Sequence, residues 1–227
     1  MEMIITKKTI YQIEERLVTL ARGTRYKEGI RLIDNYVKKY GKVDELLTQK
    51  AFFYYHYAAF IKYGGGHVEK RAKLIQWYFQ HAIDICRSII EKLDDIENKN
   101  LLNSRLYLAQ IYAMLGVAGR AKKIALQTYK YKPSSLTAER AADVCLRIQD
   151  NRGALLWYKK SVNLAKNSAS RLMSRIGIAI TYKRMGDSKT SLRHALKAFG
   201  LLKRARKDIN VLFLKKMLYS HFPELKK

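Results

Sequence analysis

The chain has 227 residues, 48% of them hydrophobic, with two prolines, two cysteines and sixteen tyrosines. That much apolar material excludes a disordered tail, and so few prolines leave long stretches free to be helix. Forty-five Lys and Arg stand against nineteen Asp and Glu, a net charge of +26. Such an excess cannot cancel internally, so part of the surface must attract acidic proteins, phosphate backbones or anionic lipid.

The N-terminal residues lack the long apolar stretch of a signal peptide. The most apolar window, Ala51 to Ile61, contains His56 and is too short to span a bilayer. Cys86 and Cys145 match no Cys-x-x-Cys spacing and fit a reducing compartment, with one bridge left open. A soluble, cytoplasmic protein is expected, without a membrane partner.

Apolar residues recur at three- and four-residue steps along the chain, with almost no strand alternation. Breaks fall at Arg22-Gly23-Thr24, Tyr40-Gly41-Lys42, Gly64-Gly65-Gly66, Glu97-Asn98-Lys99-Asn100, Gly116, Lys132-Pro133-Ser134, Asp150-Asn151, Asn167-Ser168, Gly186-Asp187 and Arg206-Lys207-Asp208. Thr24, Ser134 and Asp150 are candidate N-caps. The reading is eleven helices, as five antiparallel hairpins and a terminal helix. All lie in one helical-repeat domain over 1–227: atypical hairpins within 9–101, three repeats over 102–205, and a cap over 207–222.

In the first part, 9–40 forms a hairpin around Gly23 to Gly29, and 43–63 with 67–97 a longer one around the three glycines. The run from Phe52 to Tyr63 is apolar around the whole helix, which reads as burial on all sides; Phe52, Tyr55 and Phe60 are the candidates for an apolar partner groove. In Gly64-Gly65-Gly66-His67 a flexible loop is read in preference to an anion site.

From 102 the pattern repeats. Leu108-Ala109, Tyr112, Gly116, Ala121, Ala125 and Pro133 are followed by Ala141-Ala142, Cys145, Asp150, Ala154 and Tyr158, then by Ile178-Ala179, Tyr182, Gly186, Ser191, Ala195 and Ala198. This resembles the tetratricopeptide repeat, with Arg105 at the usual first tryptophan and Ala125 at the usual second aromatic. The resemblance implies an all-α, right-handed superhelical solenoid in which small residues let the helices of a hairpin approach and tyrosines fill the space between hairpins. Trp77, Tyr78, Phe79 and Ala82 resemble the second helix of such a repeat. The resemblance also implies inward-facing residues on the first helix of each hairpin, here Asn103, Gln110, Asp143, Arg147, Lys183 and Arg184, where a peptide carboxylate is often held. Asp143 is out of place in an anion clamp.

The charge is uneven. Residues 1–101 hold 18 basic and 13 acidic residues, whereas 102–227 hold 27 and 6. Lys189, Arg193 and Lys197 stand at i, i+4 and i+8, on one helical face. Arg120, Lys122, Lys123, Lys159 and Lys160 occupy similar places in their repeats, and Lys203 and Arg204 with Arg206 and Lys207 extend the array. No acid occurs from 188 to 207. The array reads as a ridge toward a polyanion. Residues 209–222, with Ile209, Val211, Leu212, Leu214 and Leu218, form an amphipathic helix expected to cap the last repeat.

No phosphate loop, metal-spaced histidines or paired carboxylates point to catalysis, so no enzyme, cofactor, metal or small-molecule substrate is expected. The expected function is a non-catalytic scaffold or adaptor binding a protein with an acidic or peptide-like segment. The alternative is an RNA- or ribosome-associated protein using the basic ridge, and a third reading is a peptide-sensing regulator.

Overall fold

The computed structural model describes residues 5–64, 68–95, 97–204 and 209–226. These residues form α1 (Lys7–Arg22), α2 (Tyr26–Tyr40), α3 (Asp44–Tyr63), α4 (Val68–Lys92), α5 (Lys99–Met114), α6 (Ala118–Tyr131), α7 (Ser135–Arg147), α8 (Asn151–Leu164), α9 (Ser168–Arg184), α10 (Ser188–Arg204), α11 (Ile209–His221) and a short 3-10 turn at Pro223–Lys226. Among the described residues there is no strand. The chain divides into two compact units, residues 1–111 and 112–227. Within the first, α1 packs on α2, α2 on α3 and α3 on α4. Within the second, α6 through α10 pack successively, α7 also meets α9, and α11 lies on α9 and α10. Adjacent helices therefore pair and the pairs stack, as the repeat pattern predicts.

One turn recurs. In each of four hairpins the residue two beyond the helix takes a positive φ: Thr24 (56°), Gly116 (78°), Gln149 (64°) and Gly186 (82°). Each turn closes with a pair of backbone hydrogen bonds. The longer ones are donated by the amides of Arg25, Val117, Asp150 and Asp187 to the carbonyls of Leu20, Tyr112, Cys145 and Tyr182. The shorter ones run from Thr24 to Ala21, Gly116 to Ala113, Gln149 to Leu146 and Gly186 to Lys183. This is the Schellman closure, which satisfies the last helical carbonyls. Thr24 is accordingly not the N-cap of α2. It is the left-handed residue ending α1, and Arg25 precedes α2 without a side-chain cap. The sequence breaks of the first hairpin and the second repeat thus hide the same turn, because Thr24 and Gln149 stand where the other two hairpins have glycine.

The expected caps at Ser134 and Asp150 are present. Ser134 forms a reciprocal capping box with Thr137, and the Asp150 carboxylate accepts from the Gly153 amide at 2.8 Å. Asn167 caps α9. Asn98 accepts from the Asn100 amide at 2.8 Å, which starts α5 at Lys99 rather than at 102.

Small residues sit where helices approach. Ala109, Ala121, Ala179 and Ala195 are all buried, as expected. Two glycines carry the closest approaches. A Cβ on Gly29 would stand 2.0 Å from Phe53, and one on Gly177 would stand 2.4 Å from the Tyr158 ring. Tyr158 fills the space between α8 and α9, and its hydroxyl donates to Asp143 at 2.5 Å. The last core joins Leu172, Ile176, Ala179, Ala195, Ala198 and Leu202 to Val211, Leu214, Leu218 and Phe222. Each such leucine contributes about 1.5–3 kcal/mol by leaving water, which holds α11 against α9 and α10. Leu212, expected on the same apolar face, is instead 53% exposed beside Phe213.

Cys86 and Cys145 are both free and buried. Burial pushes their thiols up to about 12 and about 11, so neither is a nucleophile near neutral pH.

Candidate basic interface

The ten basic residues proposed from the sequence lie on α6, α8 and α10, and all ten are exposed. Lys122 is neutralised by Asp150 at 2.7 Å, which lowers the Asp150 carboxyl and raises the Lys122 amine. Arg120 lies over the Tyr112 ring at 5.9 Å and Lys203 over Phe199 at 4.6 Å. Lys160 lies over both Tyr129 (4.5 Å) and Trp157 (5.1 Å), whose rings meet edge to face at 4.8 Å. Those rings bridge α6 and α8, a contact that no spacing announces. Arg206 and Lys207 lie outside the described residues.

Asp143, Glu139 and Asp187 of this unit are engaged within its helices. Asp143 accepts from Tyr158 and from Arg140 at 3.2 Å, which accounts for an acid at this position of α7. Glu139 is buried and its carboxyl is pushed up to about 7 by burial, with Arg140 opposing and Asp143 adding to the rise. Asp187 accepts from the Thr190 amide at 2.9 Å, and that bond, with Arg193 and Lys189 nearby, lowers its carboxyl.

His194 on α10 is half-buried. Its ring stacks on Tyr182 at 5.5 Å, and its Nδ1 is buried without a hydrogen-bond partner. Burial holds the imidazole below its ordinary range, and Arg175, Lys197, Arg193 and Lys159 depress it further. Arg175 on α9 was not among the sequence candidates.

The inward candidates differ in what they do. Lys183 donates to the His221 carbonyl at 2.6 Å and lies over Phe222, while Arg184 donates to the Leu146 carbonyl at 3.0 Å. Both cations thus serve helix C-terminal carbonyls. Arg147 is exposed, Asn103 half-buried and Gln110 buried.

In the first unit Tyr55 is buried, Phe52 half-buried and Phe60 exposed. Phe52 and Tyr55 meet Tyr107, whereas Phe60 meets Tyr26. The helix is buried over most of its circumference, with Phe60 and Tyr63 open to solvent. Gly65, Gly66 and His67 lie outside the described residues. Among the described residues no group of three or more His, Cys, Asp or Glu has metal-site geometry, and no helix is long and apolar enough to cross a membrane.

No family model and no curated protein matches the sequence. Solved structures do match the fold. A thermophilic TPR protein from Thermus thermophilus superposes with a TM-score of 0.63 at 16% identity, covering 92% of this chain and 98% of that one. BtubC from P. vanneervenii gives 0.58 at 13% identity over 88% and 85% of the two chains. A double mutant of MamA RS-1 gives 0.51 at 12% identity over 88% and 97%. The paired helices of the described residues, the recurrent turn and these superpositions together give this chain the fold of a tetratricopeptide-repeat solenoid.

Proposed function

We propose that this protein is a scaffold that holds a protein partner, with an acidic segment of that partner lying on α6, α8 and α10. The observation that carries this reading is ten exposed cations on α6, α8 and α10, of which Lys122 alone among the described residues is paired with a carboxylate. An uncompensated positive surface steers acidic partners and gains from their arrival. A helical-repeat fold without a catalytic constellation suits such a role, and the TPR protein of similar fold supports it at that general level.

A second reading, RNA binding, is favoured by one observation: Trp157 and Tyr129 present ring faces to Lys160 within the ridge. Aromatic faces beside cations suit stacked bases. Fluorescence anisotropy with an acidic peptide and with single-stranded RNA, from about 50 to about 400 mM salt, separates the two. The scaffold reading expects the peptide to bind at physiological salt and RNA binding to vanish near about 150 mM. It also expects Lys189, Arg193 and Lys197 together changed to Glu to weaken the peptide about a hundredfold. Tight RNA binding with a steep salt slope, and no peptide binding, would replace it.

A further inference from the structure

The exposed side of α10 carries two kinds of side chain in two rows. Lys189, Arg193 and Lys197 stand at i, i+4 and i+8 and form one row, all exposed. Leu192 (39% exposed) and Leu196 (50%) stand one turn apart and form a second row. Each leucine is followed directly by a cation, Arg193 or Lys197, so the rows are offset by about 100° around the helix axis. Each is also preceded by a buried residue, Ser191 or Ala195. The cations therefore stand foremost, and the leucines lie between them and the core. Among the described residues that core takes Ala195, Ala198 and Leu202 from α10, and not Leu192 or Leu196. The same pairing recurs on α8, where Leu156 is 64% exposed and Lys159 and Lys160 follow it by three and four residues. Neither helix contains an Asp or a Glu.

We propose that the acidic segment of the protein partner is an amphipathic helix, whose apolar row covers Leu192 and Leu196 while its carboxylates meet Lys189, Arg193 and Lys197. This rests on the scaffold reading above and specifies the partner's chemistry. Charge complementarity selects acids, and the leucines select what accompanies them. A polyanion without apolar side chains neutralises the cations and gains nothing from the leucines. An extended strand shows one row of alternate side chains on each face, so it matches one row of α10 and misses the other. A helix shows two adjoining rows, with side chains at i and i+4 about 5–6 Å apart, which is the spacing of both rows here. A flat lipid surface would meet the cations first and reach the leucines poorly, whereas a helix can lie along their side.

The test uses the full chain and two helical peptides of equal charge, followed by fluorescence anisotropy. One has leucines at i and i+4 beside a row of glutamates. Its twin has alanine at the leucine positions, which keeps the helix. The leucine peptide is expected to bind about tenfold more tightly than the twin. Leu192→Ser and Leu196→Ser, made together at exposed positions, should remove that preference and leave the salt dependence of binding unchanged. Equal binding of the two peptides, or a preference that survives the double serine variant, overturns the amphipathic partner and leaves the scaffold reading standing. Failure of both peptides to bind overturns the scaffold reading itself. Cosedimentation with phosphatidylserine vesicles that is lost in the double serine variant reassigns the leucines to a lipid surface and overturns the proposal.

Discussion

In residues 1–111 the cations have carboxylates to meet: Lys50 reaches Asp34 at 2.6 Å, Lys92 reaches Asp44 at 3.0 Å, Lys99 reaches Glu14 at 3.2 Å, and Arg25 pairs with Glu28. In residues 112–227 there are 26 basic and 6 acidic residues. Asp143, Asp150 and Asp187 there bond to a tyrosine or to helix caps, and Glu139 is buried. Both units pack helix pairs by the same turn and by glycines under aromatic rings. They differ in charge balance: in the first unit basic and acidic residues are closer in number, and in the second most of the basic residues have no acid to meet. Surface ion pairs contribute at most about 1 kcal/mol each, so the difference matters little for stability and much for what approaches the surface.

The shared packing gives the largest expected effects. Gly29→Ala and Gly177→Ala should each destabilise by about 2–3 kcal/mol in chemical denaturation, because Phe53 and Tyr158 must move aside for a methyl group. A cost at one glycine alone would mean that the two units do not share this device.

A smaller effect is confined to the second unit. Glu139 has a folded-state value raised by burial to about 7 from its ordinary 4.5, so the folded protein holds a proton that the unfolded chain has released. The stability it contributes is fully present below about 4.5 and lost as pH rises through about 7. Glu139→Gln should flatten that part of the stability–pH curve and add about 1–2 kcal/mol at pH 8. An unchanged curve would show that Arg140 keeps the carboxylate ionised throughout.

Smallest are the turns. Thr24→Gly and Gln149→Gly should each stabilise by about 0.5–1 kcal/mol, by relieving a left-handed backbone at a residue with a side chain. Gly116→Ala and Gly186→Ala should cost a similar amount. Thermal melts of the four variants check whether the turns are equivalent.

Most helix limits are legible in the sequence because the hairpins end at Gly, Pro, Asn or Asp, and the apolar steps between them have helical period. The first hairpin is harder to recognise as a repeat because Gly23 stands one residue before the left-handed position, which Thr24 occupies. The exposure of Lys189, Arg193 and Lys197 agrees with their spacing on one helical face. The stacking of Tyr182 on His194 is not legible, since it comes from another helix and tertiary packing leaves no local pattern. Lys183 and Arg184 resemble groove residues in the sequence for the same reason: the carbonyls they serve lie 38 residues away.

The central claim is that a protein partner lies on α6, α8 and α10. The most direct measurement is an amide NMR titration of the full chain with an acidic peptide. The account predicts perturbations along α6, α8 and α10, strongest around Lys159, Arg193 and Lys197, and little change near Phe52, Tyr55 and Phe60. Perturbations centred on those aromatic residues, or on Asn103 of α5 and Arg147 of α7, would contradict it.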